Sequence, residues 1–242
     1  MTILYVNGDS HTAAAEAVNP AAFAEDDGKF YHLGRQPHPD NLAVSWCTVL
    51  AQDLGWDLVC DAESASSNDR IIRTTRAWLN RSDVDHAKAF VILQWSTWER
   101  EEWWHLDQWY QVNASGQDSV PPALRARYRE FVQTVDWRAK AHQAHAKIWD
   151  LHHLLKARAI PHVFFNGNNW FDHIDCQCDW GNHYLSPYHA QGTFHSVLAQ
   201  QGFSRVNSSS YHYGLDAHCF WAKHVLQYMR SHNFLDALCV TS

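Results

Sequence analysis

Two residues near opposite ends of the chain have chemistry that would work as a pair. Ser10 lies in "YVNGDSHT", where the apolar run Ile3, Leu4, Tyr5, Val6 gives way to Asn7-Gly8-Asp9-Ser10 and then to the alanine-rich "TAAAEA". A serine between a strand and a helix start sits beside unpaired backbone N–H groups and a positive dipole end, which stabilise a developing oxyanion. It becomes a nucleophile only with a base within hydrogen-bond reach; otherwise it is a cap or a turn residue. Imidazole is the commonest such base, and "YHYGLDAHCFWAKHV" puts His212 in a loop ahead of a final helix and His218 inside that helix. Imidazole titrates near neutrality, so it can take the serine proton and return it to a leaving alcohol. The chemistry implied is acyl transfer.

Four further clusters carry groups able to bind or react. "WSTWEREEWWHLDQWY" sets Trp95, Trp98, Trp103, Trp104 and Trp109 among Glu99, Glu101, Glu102 and Asp107. Aromatic faces with carboxylates between them suit a sugar ring, so Trp95 and Trp98 are substrate-binding candidates, or else they pack a lid onto the domain. Paired acids also serve glycosidases, although four carboxylates in one segment equally suit a solvated face. "FNGNNWF" offers Asn166, Asn168 and Asn169, either as a plain turn or, at Asn168, as a group that orients a polar substrate. "DHIDCQCDWGNH" brings His173, Cys176, Cys178 and His183 within zinc-ligand spacing, but its Cys-x-Cys is tighter than the usual Cys-x2-Cys knuckle. An ordinary histidine-rich loop is the competing reading, and neither metal nor cofactor is expected. His142, His145, Trp149 and His152 step by three and four along one helical face, as a polar face or an interface would.

The elements that must position these groups are legible as alternating strands and helices. Strand-length apolar runs occur at Ile3–Val6, Leu58–Cys60, Ala89–Leu93 and His162–Phe165, each closed by small or polar residues as buried parallel strands are. Between them, "NLAVSWCTVLAQDLG" reads as a helix ending at Gly55, and "SSNDRIIRTTRAWL" as one capped by Ser67 or Asn68. Residues 123–159 lack Pro and Gly and read as one or two helices, and "DAHCFWAKHVLQYMRSH" as the last. Such alternation implies right-handed crossovers and a three-layer α/β/α domain of flavodoxin-like type, with a mostly parallel sheet of about five strands. Ligands bind beyond the carboxyl ends of such strands, which gathers "NGDSHT", "DAESASSND", "QWSTWER" and "NGNNWF" on one rim. One domain over 1–242 is expected, with insertions near 18–40, 97–122 and 168–190.

Composition narrows the partners. The chain has 242 residues, a formal charge of −7 and 46% hydrophobic residues, a globular balance without the basic face that nucleic-acid backbones require. No apolar run is long enough to span a membrane. Because "TILYVNG" begins the chain at once, no export signal is expected, which favours a cytoplasmic location and six reduced cysteines.

Gly8-Asp9-Ser10 near one end and His212, His218, Trp221 and Ala222 near the other resemble the SGNH (GDSL-type) hydrolase family. In that family the serine follows the first strand, and the base histidine precedes the last helix. A second histidine often follows six residues later, in a pattern ending in Trp-Ala. The resemblance implies a serine ester hydrolase with Ser10 as nucleophile, His212 as base and Asp9 beside them. The middle blocks depart from the family. A glycine donor to the oxyanion is replaced by Ser66-Ser67-Asn68, so Ser67 and Asn68 stand in, and the third block reads Gln94-Trp95-Ser96-Thr97 without its asparagine, leaving Ser96 as a third donor. Where the family has an acid three positions before the histidine, this chain has Ser209. A backbone carbonyl or neutral side chain near residues 207–210 is therefore expected to hold the imidazole. The wording "NGDSHT…ESASSNDRIIRT…WSTWER…YHYGLDAH" is also similar to SGNH-like proteins of tailed phages of marine cyanobacteria, for which no substrate is implied. The substrate expected is an O-acyl ester of a carbohydrate or small polar molecule. The alternative is an inactive SGNH-fold binding or assembly module that self-associates or joins virion proteins in a phage particle.

Overall fold

The structure is a computed structural model and describes residues 2–22, 36–114 and 120–235. Along the chain run β1 (Ile3–Asn7), α1 (Pro39–Ala43), α2 (Trp46–Leu54), β2 (Asp57–Cys60), α3 (Asn68–Leu79) and β3 (Ala89–Trp95). A hairpin of β4 (Glu101–His105) and β5 (Gln108–Val112) follows, then α4 (Arg125–Thr134) and α5 (Trp137–Ala157). The chain closes with β6 (His162–Asn166), β7 (Tyr184–Leu185), α6 (Phe194–Gln200) and α7 (Leu215–Ser231). Five strands form one sheet in the order β2-β1-β3-β6-β7, and every pairing in it is parallel.

Strand alternation sorts the side chains into two cores. Leu4 and Val6 of β1, Phe90 and Ile92 of β3, and Val163 and Phe165 of β6 pack against α2, α6 and α7. Tyr5, Val91, Leu93 and Phe164 point the other way, onto α3 and α5. That is the three-layer α/β/α arrangement, and it leaves the carboxyl ends of β1, β2, β3 and β6 on one rim.

Helix ends follow their capping chemistry. Ser45 caps α2 by accepting from the Thr48 N–H, and α2 stops at Gly55 in the left-handed region at φ 66°. Ser67 caps α3 by accepting from the Arg70 N–H. Pattern and structure part after Ser10. "TAAAEA" forms no α-helix; residues 9–17 fold into successive turns, with Ala14 at φ 52° and Glu16 at φ 63°. Left-handed backbone at non-glycine residues costs ~1 kcal/mol or more each, so the surrounding packing must impose it. The 97–122 insertion also differs from a lid loop: its β4–β5 hairpin and α4 share a small core of Trp103, Tyr110, Val112, Leu124, Tyr128 and Phe131.

Candidate active site

The loop after β1 is locked from below by Gln94. This fully buried side chain accepts from the Asp9 N–H (3.2 Å) and the Thr12 hydroxyl (2.9 Å), and it donates to the Trp95 carbonyl (3.0 Å). Gly8 and Gly167 flank it. A Cβ at Gly8 would lie 2.9 Å from Gln94 Oε1 and closer still to Thr12 Oγ1, so close approach rather than backbone conformation demands glycine there.

Asp9 is buried beneath the loop. One oxygen accepts from the Ser96 hydroxyl (2.8 Å) and from the Arg100 guanidinium (3.2 Å), and the other from the His11 N–H (3.0 Å). Burial opposes its charge, but the Arg100 guanidinium and the hydrogen bonds from Ser96 and the His11 N–H outweigh it and keep the carboxyl below its ordinary range. Asp9 therefore fixes the loop shape and does not face His212.

Ser10 and His212 line one cleft of about 470 Å³ with His11, Glu16, Ala65 and Asn168. The acid behind His212 is Glu16. The His212 Nδ1–H donates to Glu16 Oε2 at 2.6 Å, and the Ser210 hydroxyl donates to the same oxygen at 2.5 Å. Ser210 Oγ also accepts from the His212 N–H at 3.0 Å, which ties the base loop to the turn after Ser10. With Nδ1 protonated, Nε2 carries the lone pair a general base needs. Burial opposes ionisation of Glu16, yet the bonds from Ser210 and His212 bring its carboxyl below the usual range. The left-handed turns at Ala14 and Glu16 are what bring this carboxylate back over the site. The expectation of a neutral acceptor near residues 207–210 is corrected accordingly. Ser209 is exposed and bonds Asn207, while Ser210 acts on the carboxylate.

His11 lies between the two ends of the site, its ring centroid 5.5 Å from that of His212 and 5.2 Å from that of His195. Burial pushes its pKa down to about 3 against the opposing attraction of Asp9, so it is neutral. His218 is structural. Burial lowers its pKa to about 3, and its Nδ1 accepts from the Trp46 N–H, joining α7 to α2.

The proposed oxyanion donors are otherwise employed. The Ser67 N–H donates to Gln111 Oε1 (3.0 Å), the Asn68 amide donates to the Ser96 carbonyl (3.1 Å), and the Ser96 N–H donates to Asn68 Oδ1 (2.8 Å). The β4–β5 hairpin, absent from the sequence reading, supplies Gln111 and so occupies Ser67. The backbone N–H groups of Ser10 and of Ala65, at φ 63°, border the cleft and have no partner among the described residues. Trp95 is fully buried and stacks edge-on to Phe164, so it is core and not a substrate platform. Trp98 and Asn168 both line cavities on this rim.

The remaining candidates lie elsewhere. Glu102 is held by Arg73 at 2.7 Å and by Gln111, and Glu101 by Lys140, so neither belongs to a glycosidase pair or a solvated face. His183 donates from Nδ1 to the His162 carbonyl, His173 pairs with Asp172, and Cys176 is exposed. Among the described residues no group of three or more His, Cys, Asp or Glu is arranged to hold a metal ion, and His173, Cys176, Cys178 and His183 are not gathered into one.

No known family profile matches this sequence, and no curated protein sequence matches it either. Among solved structures it is similar to a protein assigned to the G-D-S-L family of lipolytic proteins from Desulfitobacterium hafniense DCB-2, at 11% identity and TM-score 0.42, over 94% of this chain and 99% of that one. It is also similar to an acetyl xylan esterase, Est2A, from the rumen bacterium Butyrivibrio proteoclasticus, at 12% identity and TM-score 0.44, over 98% of this chain and 65% of that one. The chemistry of this chain rests on its own site and not on these likenesses.

Proposed function

We propose that this chain is a serine ester hydrolase that removes an O-acyl group from a carbohydrate or another small polar alcohol. The observation that carries the reading is the Glu16 carboxylate on His212 Nδ1, in the cleft that Ser10 also lines. A cap serine alone would not call for a half-buried acid and a tautomer-fixing bond on a histidine of the same cleft.

In this reading Ser10 Oγ attacks the acyl carbon while its proton passes to His212 Nε2. The carbonyl π electrons move onto oxygen, where the Ser10 and Ala65 N–H groups receive the negative charge. Collapse of the tetrahedral species breaks the ester C–O bond, and His212 returns the proton to the leaving alcohol. Water then attacks the acyl-serine with His212 again as base, releasing the carboxylic acid and restoring Ser10. Glu16 stays ionised and stabilises the imidazolium.

The competing reading is a binding module on the same fold. It has in its favour that the Ser10 hydroxyl makes no hydrogen bond among the described residues, although such bonds often tighten only with substrate. Turnover of aryl acetates separates the two. The esterase reading expects hydrolysis that Ser10→Ala and His212→Ala each abolish, the double variant being no worse than either single. Hydrolysis that survives His212→Ala, or none by the wild type at high enzyme, would sink it.

A further inference from the structure

A second cavity lies on the same rim. It measures about 270 Å³ and is walled by Trp98, Trp137, Trp170, Arg138, Asn169 and Asp172. The segments after β3 and β6 serve both cavities by turns. Thr97, Glu99 and Asn168 face the catalytic cleft, while their neighbours Trp98 and Asn169 face the second cavity. The segments at 97–99 and 168–169 thus contribute lining to both cavities.

These segments carry unmet polar groups. Thr97 Oγ1, Glu99 Oε2 and Asn168 Oδ1 are buried and have no hydrogen-bond partner among the described residues. A buried polar atom without a partner is costly, and two of these three can only accept. Their residues line the catalytic cleft, so these polar atoms lie just behind its surface. Past these segments the character changes to aromatic. Trp98 is fixed by parallel stacking on Phe171 (centroids 4.5 Å apart, planes at 6°) and by donating from Nε1 to the Trp170 carbonyl. Trp137, at the first turn of α5, is 51% exposed, an unusual investment for a side chain of that size unless it meets something. Arg138 and Asp172 stand at the edge, the guanidinium 3.5 Å from Asp175 and the carboxylate 3.2 Å from His173. Rigid aromatic faces rimmed by a few charged and amide groups match a pyranose ring, whose C–H faces are apolar and whose equatorial edge is polar.

We propose that the Trp98–Trp137–Trp170 cavity is a subsite for the sugar next to the acylated one, so that the substrate is an O-acylated oligosaccharide or polysaccharide lying across residues 97–99 and 168–169. This rests on the esterase reading for the cleft, but the subsite itself binds sugar without turnover. A lid-packing role does not account for the exposure of Trp137.

The test is equilibrium binding of unacylated tetrasaccharides of β-1,4-linked glucose, xylose and N-acetylglucosamine, followed by tryptophan fluorescence and calorimetry. Wild type and Ser10→Ala are expected to bind at least one of them equally, with Trp137→Ala and Asp172→Asn each weakening it tenfold or more. Trp137 is exposed and outside the core, and retained far-ultraviolet circular dichroism and Tm confirm that its variant is folded. On acylated substrates, Trp137→Ala should raise KM for the oligosaccharide ester and leave an aryl acetate unaffected. Binding without any ester turnover would overturn the esterase reading and uphold the subsite. No binding to any of the three, or binding that Trp137→Ala leaves unchanged, would overturn the subsite even if esterase activity stands.

Discussion

Glu16 sits in a left-handed turn, a conformation a glutamate adopts only under compulsion, and its carboxylate meets His212 Nδ1 at 2.6 Å. Replacing it by Gln keeps the shape but removes the charge that stabilises imidazolium. Glu16→Gln should lower kcat by about 10²–10⁴, with KM little changed. Ser209→Asp, which would restore the family spacing, should bring no gain, because Ser209 is exposed and faces Asn207 while Glu16 already holds the ring. A steady-state comparison of the two variants checks both outcomes. Ser10 and His212, which line one cleft, each stand in a recognisable local pattern of the sequence. Glu16 does not. It was the acid of "TAAAEA", where alanine spacing suggests a helix that would carry it away from the serine. Only the left-handed residues at positions 14 and 16 reverse the chain, and no pattern of residue types announces them.

Four of the five sheet strands and the long helices were legible because each buries an apolar face of the right period, from "ILYVN" in β1 to the Trp221, Val225 and Met229 stripe of α7. The two-residue β7 instead lies in the segment expected as an insertion. The hairpin was not legible. Its residues come in like pairs, Glu101-Glu102, Trp103-Trp104 and Trp109-Tyr110, with no period-two alternation, and both its turn positions, Leu106 and Asp107, are left-handed without a glycine to signal them. It matters to the site through Gln111, which takes the Ser67 N–H, and through Glu102, which binds Arg73. Ser67 is thereby an N-cap. Ser67→Ala should lower the unfolding free energy by about 1 kcal/mol, as loss of a cap does, and leave kcat within twofold. A large loss of kcat in a folded variant would return Ser67 to the oxyanion site. Gly8→Ala should do the reverse. With Gln94 and Thr12 unable to yield at the strand ends, overpacking of ~1–3 kcal/mol should displace the Ser10 loop and abolish turnover. Urea melts and kcat measured together separate these two kinds of effect.

Across the molecule, several histidines are buried neutral. His11, His162 and His218 each have a pKa brought down to about 3, mainly by burial. At His162, Nδ1–H donates to the Ile160 carbonyl, leaving Nε2 to accept from His152 Nδ1–H at 2.9 Å. An unfolded histidine titrates near 6.5, so below that pH the unfolded chain takes up protons that the folded chain refuses. Stability is therefore complete above about pH 6.5 and falls as the pH drops towards 3, by ~1.4 kcal/mol per pH unit for each group. Three such groups acting together would cost on the order of 15 kcal/mol by pH 3, as large as a typical margin of ~5–15 kcal/mol. The urea midpoint should drop steeply from pH 7 to pH 5, and His218→Gln should flatten that slope by about a third. A midpoint constant over this range would mean that these rings are hydrated.

The central claim is that Glu16, His212 and Ser10 work as one unit, and covalent labelling reads that unit directly. Wild-type protein treated with a fluorophosphonate, followed by intact mass and peptide mapping, should carry one adduct, on Ser10. The rate should fall a hundredfold or more in Glu16→Gln and to background in His212→Ala. An adduct on another residue, labelling of Ser10 at the same rate in all three proteins, or no adduct in the wild type would contradict the account.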